Sequence, residues 1–94
     1  FPKGSMNLIN AEQFQQLQIR FASVRKRMVA GGSASNTVAT IAQLGGKAAL
    51  IGKIGNDEVG HFYREDLVKN NVHPMLLTSS LMSGCCIVLI TPDG

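Results

Sequence analysis

Tryptophan is absent from this chain, tyrosine occurs once, and only 5% of the residues are aromatic. A single-stranded nucleic-acid surface needs rings for bases to stack on between its basic residues. Arg25-Lys26-Arg27, the one tight basic cluster in a chain of net charge +3, therefore reads as a solvated edge. Cysteine is just as scarce. Cys85 and Cys86 are the only two, and as neighbours in an extended stretch they point to opposite faces, which argues against a bond between them. His61 and His73 have no cysteine or carboxylate at ligand spacing, so no metal site is expected. No apolar run approaches the roughly 18 residues that span a bilayer, and no basic segment followed by an apolar one marks a secretory signal. These absences predict a cytoplasmic protein with neither a membrane nor a nucleic acid as partner.

Two phosphate-binding patterns are missing as well. Gly-x-Gly-x-x-Gly does not occur, which removes a dinucleotide-binding turn. Gly46-Lys47 lacks the earlier glycine of a P-loop and is followed by Ala48, which removes that route too. What is present is a chain of 94 residues, 45% hydrophobic and 16% charged, enough for one small globular domain with a modest core.

After an extended start, Asn10 with Gln13 three positions on predicts a capped helix. Phe14, Leu17, Phe21, Val24 and Met28 recur at spacings of three and four, a stripe expected to face a core, with the helix ending before Met28. The chain should be extended from about Arg27 to Ala30. A second helix is predicted from about Ala34 to Leu44, with Ala34, Val38, Ile41 and Ala42 on its buried side and Gly45-Gly46 at its end. Ala48 to Ile54 is mostly apolar and reads as a parallel strand covered on both faces. Asp57 is placed to cap a third helix with Val59, Phe62, Tyr63 and Leu67 inside; Asn70-Asn71 should close it before Pro74. Met75 to Thr78 and Cys85 to Thr91 read as two further strands around a serine-rich loop, and Pro92-Asp93-Gly94 as a turn. The alternation of strand and helix predicts an α/β sheet with βαβ crossovers. With no initiator Met, no strand ahead of Phe1 and no return strand after Gly94, the expectation is an N-terminal-half fragment of a larger enzyme.

The most informative stretch is Gly31-Gly32-Ser33-Ala34-Ser35-Asn36-Thr37, where a glycine pair opens directly onto an apolar helix. Backbone without side chains can approach a ligand closely, and a helix start offers unpaired N–H groups beside the Asn36 amide. A hydroxyl-rich small molecule suits that corner. Asn36 has a second possible role as a local cap, and Gly31-Gly32 as a plain loop. Asp57, directly ahead of a helix, reads as an N-cap before it reads as a general base.

Gly31 to Thr37 running on to Gly45, followed by Ile51-Gly52-Lys53-Ile54-Gly55-Asn56-Asp57-Glu58-Val59-Gly60, resembles the N-terminal signature of the PfkB, or ribokinase, family of carbohydrate and nucleoside kinases. The likeness covers most of residues 29–94, and residues 1–28 and 73–77 resemble the adenosine-kinase-like branch. It implies part of a ribokinase-like, Rossmann-type α/β/α sandwich with strands of a small β lid. The activity implied is ATP-dependent phosphorylation of a hydroxymethyl group on a sugar or nucleoside, with ATP and Mg2+ serving the full-length enzyme and neither expected to bind residues 1–94 alone. By the same resemblance Gly31, Gly32 and Asn36 bind sugar hydroxyls, the glycine pair hinges the lid, and Cys86 and Val88 roof the sugar from a lid strand over Cys85 to Ile90. Lid strands of relatives often pair between subunits, so a homodimer is possible. The family's catalytic segment, Asp-Thr-x-Gly-Ala-Gly-Asp, which carries the base, is not in this sequence, so residues 1–94 alone are expected to be inactive. The rival reading is a non-enzymatic α/β module for interaction or oligomerisation.

Overall fold

The computed structural model describes residues 2–93; the parts of the expected termini that fall on Phe1 and Gly94 lie outside it. Its elements run α1 (Ala11–Arg20), α2 (Ser33–Gln43), β1 (Ala48–Gly55), α3 (Glu58–Lys69) and β2 (Val72–Ser79). β1 and β2 pair in parallel, in register from Ala48 opposite Val72 to Gly55 opposite Ser79. Parallel neighbours need a crossover between them, and α3 supplies it. The fold is α/β, as the alternation predicts.

Local chemistry sets most of the boundaries. At the start of α1, Asn10 Oδ1 accepts from the Gln13 amide at 2.8 Å and Gln13 Oε1 accepts from the Asn10 amide at 3.0 Å, a reciprocal cap. At the end of α2, Gly45 N–H donates to Ala42 O and Gly46 N–H to Ile41 O, both at 3.0 Å, which satisfies two carbonyls the helix leaves free. α3 stops at Asn70, and Asn71 turns the chain with φ 61°, a value Asn tolerates. β2 then begins at Val72, ahead of Pro74. A strand of a two-stranded sheet is an edge and can carry proline.

The core is small and sits between the sheet and its helices: Leu67 and Val72 are fully buried and Ile54 nearly so. Val59, Phe62 and Tyr63 are half-buried beside Leu67, as read. β1, however, is covered on one face and not on both. Ala48, Leu50, Gly52 and Ile54 are half-buried or buried, whereas Ala49, Ile51 and Lys53 are exposed, because no described residue packs against that side. The register continues the open face into β2 through Met75 and Leu77.

Three further expectations are corrected. The stripe of α1 holds only in part: Phe14, Leu17 and Phe21 are half-buried and none is fully buried, Phe21 leaves helical geometry at φ −105° and ψ 21°, and Val24 and Met28 are exposed instead of extending the stripe. In α2, Val38 and Ala42 are half-buried, but Ala34 and Ile41 are exposed and Ser35 is the buried residue. Cys85 to Thr91 forms no strand: a ladder needs a partner, and among the described residues none lies alongside it. With α1 and this stretch packed loosely, the radius of gyration is 15.2 Å, against about 12 Å for a compact chain of this length. An exposed ion pair joins the two ends of the described chain, Lys3 Nζ donating to Asp93 Oδ2; Thr91 Oγ1 donates to the other carboxylate oxygen at 2.5 Å. The Lys3 ammonium, followed by the Thr91 hydroxyl, holds the Asp93 carboxyl below its usual range.

Candidate functional site

Gly32 is the N-cap of α2 and has φ 104° and ψ 137°, a backbone that side-chain-bearing residues avoid. Its carbonyl accepts the first helical bond from the Asn36 amide at 2.9 Å, but no side chain caps the helix. The first turn therefore presents N–H groups with no side-chain acceptor. Asn36, on the fourth helical residue, makes no side-chain hydrogen bond among the described residues; its carbonyl accepts from Thr40 Oγ1 at 2.9 Å. The local-cap role is thus filled by Gly32, and the Asn36 carboxamide is exposed and free to donate and accept. Gly31 is also exposed, and a Cβ built on it would meet nothing within 4 Å. No charged residue occurs between Arg27 and Lys47, so the corner offers dipoles without net charge. That chemistry can both donate to and accept from neutral hydroxyls.

The start of α3 is built in the opposite way. Asp57 Oδ1 accepts from the Gly60 amide at 2.7 Å, which is the N-cap bond, and also from Ser83 Oγ at 2.8 Å. Its other oxygen, Oδ2, accepts from the Ser83 amide at 2.9 Å. Ser83 Oγ in turn accepts from the Gly55 amide at 2.9 Å, so one buried serine ties the end of β1 to the cap of α3. The chain closes tightly around this knot: a Cβ on Gly60 would lie 2.2 Å from Gly55 O, and one on Gly55 would lie 2.5 Å from Leu81 O. The Ser83 and Gly60 amides, then the Ser83 hydroxyl, hold the Asp57 carboxyl below its usual range, with the charge of nearby His61 a smaller contribution. Asp57 is a structural anion, as its position ahead of a helix predicts. Ser83 was not expected to matter.

A cavity of about 260 Å³ lies beside the sheet, lined by Ala34 of α2, Gly52 and Ile54 of β1, Tyr63 of α3, and Ser83-Gly84. The second residue of α2 and the point where the chain leaves the Asp57 knot thus face one space. Gly31, Gly32 and Asn36 do not line it themselves, and neither do Cys86 and Val88, which are exposed on the irregular stretch beyond. Partial burial, followed by the Asp57 charge, pushes the Cys85 thiol up, placing the first residue of that stretch within the field of the knot. A larger concavity, about 410 Å³, lies between residues 27–30 and α3 and mixes Arg27 and Lys69 with Glu65 and Asp66. No group of three or more His, Cys, Asp or Glu residues that could hold a metal ion occurs among the described residues.

The glycine pair, the open helix start and the glycine-flanked Asp57 turn are matched together by one family model, that of the pfkB family carbohydrate kinases, over residues 4–94. The chain belongs to the pfkB family. Its β1–α3–β2 unit is accordingly part of a ribokinase-like fold. Among curated relatives it is 49% identical over 66 residues to probable fructokinase-5 of Arabidopsis thaliana, covering 68% of this chain and 20% of the relative. Over 66 residues it is 46% identical to fructokinase-2 of Zea mays, again 68% of this chain and 20% of the relative. To aminoimidazole riboside kinase of Salmonella typhimurium the identity is 36% over 66 residues, covering 68% of this chain and 21% of the relative. The chain spans about a fifth of the length of these pfkB relatives. The adenosine-kinase likeness read in residues 1–28 and 73–77 gains no support from them. No solved structure gives a significant match.

Proposed function

We propose that the full-length protein carrying this segment transfers the terminal phosphoryl group of ATP to a hydroxymethyl group of a sugar or nucleoside. The open first turn of α2 carries this reading, with Gly32 at φ 104° and the Asn36 carboxamide unengaged. Backbone N–H groups and a carboxamide together donate to and accept from neighbouring hydroxyls, which fixes the orientation of a polyol. Gly31, bare of side chain and contact, leaves room for the ring to lie against the backbone. Cys86 and Val88, on the stretch beyond the cavity, act as apolar cover that excludes water from the reacting hydroxyl.

The corner itself carries no charged side chain, and no cluster of metal-ligating side chains occurs among the described residues. ATP and Mg2+ are accordingly assigned to the rest of the enzyme, and residues 1–94 alone should not phosphorylate anything. The named relatives make fructose the first acceptor to assay and a riboside the second. The assignment to the cytoplasm and the pairing of two copies through residues 85–90 belong to the same reading; no helix of the described residues is long and apolar enough to cross a membrane.

The deciding experiment is acceptor-dependent ADP release by the full-length protein with fructose, ribose, adenosine and aminoimidazole riboside. Asn36→Ala should raise the acceptor KM about tenfold, the value of one or two lost hydrogen bonds, and leave the KM for ATP unchanged. Equal changes in both constants would remove Asn36 from the acceptor site.

A further inference from the structure

Ser83 lies 26 residues beyond Asp57 in sequence, yet both its amide and its hydroxyl are bonded to that carboxylate. The hydroxyl also receives the Gly55 amide, and Ser83 and Gly55 are both buried, so water cannot replace any of these partners without the chain moving. The knot therefore does more than cap α3. It fixes the last anchored residue before the stretch 84–91, which has no ladder to hold it, and it does so at the rim of the cavity that Ala34 of α2 shares. The knot thereby holds Ser83 against the end of β1 and the start of α3. The glycines at 55 and 60 allow the close approach, since a Cβ at either would collide with backbone.

We propose that Asp57 and Ser83 form a clasp that sets where residues 85–90 leave the sheet, which makes both of them positioning residues for acceptor binding. This rests on the kinase reading above for its functional half alone. Ser83→Ala removes the hydroxyl and strands the buried Gly55 amide while sparing the bond from the Ser83 amide to Asp57. The departing stretch shifts or loosens as a result, and the cover over the acceptor is lost with it. Ser83→Thr keeps the hydroxyl and serves as the rescue.

The test uses the full-length protein with a spin label on Cys86, with Cys85→Ser, and a second label at Glu65→Cys on the exposed surface of α3. Pulsed electron paramagnetic resonance should give one narrow distance distribution for the otherwise unmodified protein and for Ser83→Thr, and a broadened or displaced one for Ser83→Ala and Asp57→Asn. Unlabelled Ser83→Ala should show an acceptor KM raised about tenfold with the KM for ATP unchanged, as expected when the cover over the acceptor is no longer held in place. A change in melting temperature alone, with distances and acceptor KM unmoved, would reduce the clasp to a fold stabiliser and overturn the proposal. Should the unmodified protein release no ADP with any acceptor, the kinase reading falls, and the distance measurement still decides whether the clasp positions the stretch.

Discussion

Two helices of this chain begin in opposite ways. α3 is sealed: Asp57 takes the Gly60 amide and both donors of Ser83, and its surroundings admit no extra carbon. α2 is open: its cap residue has no side chain, its first-turn amides meet no side-chain acceptor, and the nearest carboxamide stands free. A protein that needed only stability would cap both, since an Asn, Asp or Ser cap contributes about 1 kcal/mol. Leaving α2 bare while closing α3 and α1 with side chains sets the proposed acceptor corner apart from the helix starts that hold the fold.

The contrast is broken most severely at the sealed end. Gly60→Ala drives a Cβ into Gly55 O and should cost roughly 3 kcal/mol, read as a lowered urea midpoint. At the open end, Gly32→Ala meets no atom and acts through φ alone, so a smaller loss of about 1–2 kcal/mol is expected. Equal losses at the two glycines would mean that the chain around Gly60 yields enough to admit the extra carbon. Acidification addresses the carboxylate itself. Because the folded state lowers the Asp57 pKa from 3.8, its contribution is fully present above about that pH and is lost as pH falls through the lower folded value. Thermal melts should therefore decline below about pH 4, and Asp57→Asn should flatten that part of the profile. The smallest effect belongs to Asn36→Ala, which should leave the unfolding free energy in urea within about 0.5 kcal/mol of the parent while it weakens acceptor binding. A larger loss would make Asn36 part of the scaffold.

The sequence disclosed what depends on neighbours. The Asn10 box, the Asp57 cap and the Asn70-Asn71 stop all act across three or four residues, and each was readable from spacing. Ser83 was not readable, because its partners lie 26 and 28 residues away and a serine in a serine-rich loop carries no local mark. The coverage of β1 failed for a related reason: an apolar run such as Ala48 to Ile54 states a demand for burial without saying on which side it is met. Cys85 to Thr91 has the composition of a strand and, among the described residues, lacks a neighbour to make it one. For the corner at Gly31, Gly32 and Asn36, residue types were enough to suggest an accessible backbone. That Gly32 is the N-cap and that Asn36 leaves its amide unspent depends on where α2 begins, which residue types alone do not fix.

The uncovered side of β1 and β2 has a practical consequence. Ile51, Met75 and Leu77 are 77%, 50% and 67% exposed there, interrupted only by Lys53 and His73 as ionisable neighbours. Handled by itself in concentrated solution, this polypeptide would stack sheet against sheet, so its colloidal behaviour would be governed by an adhesive plane distinct from the glycine corner.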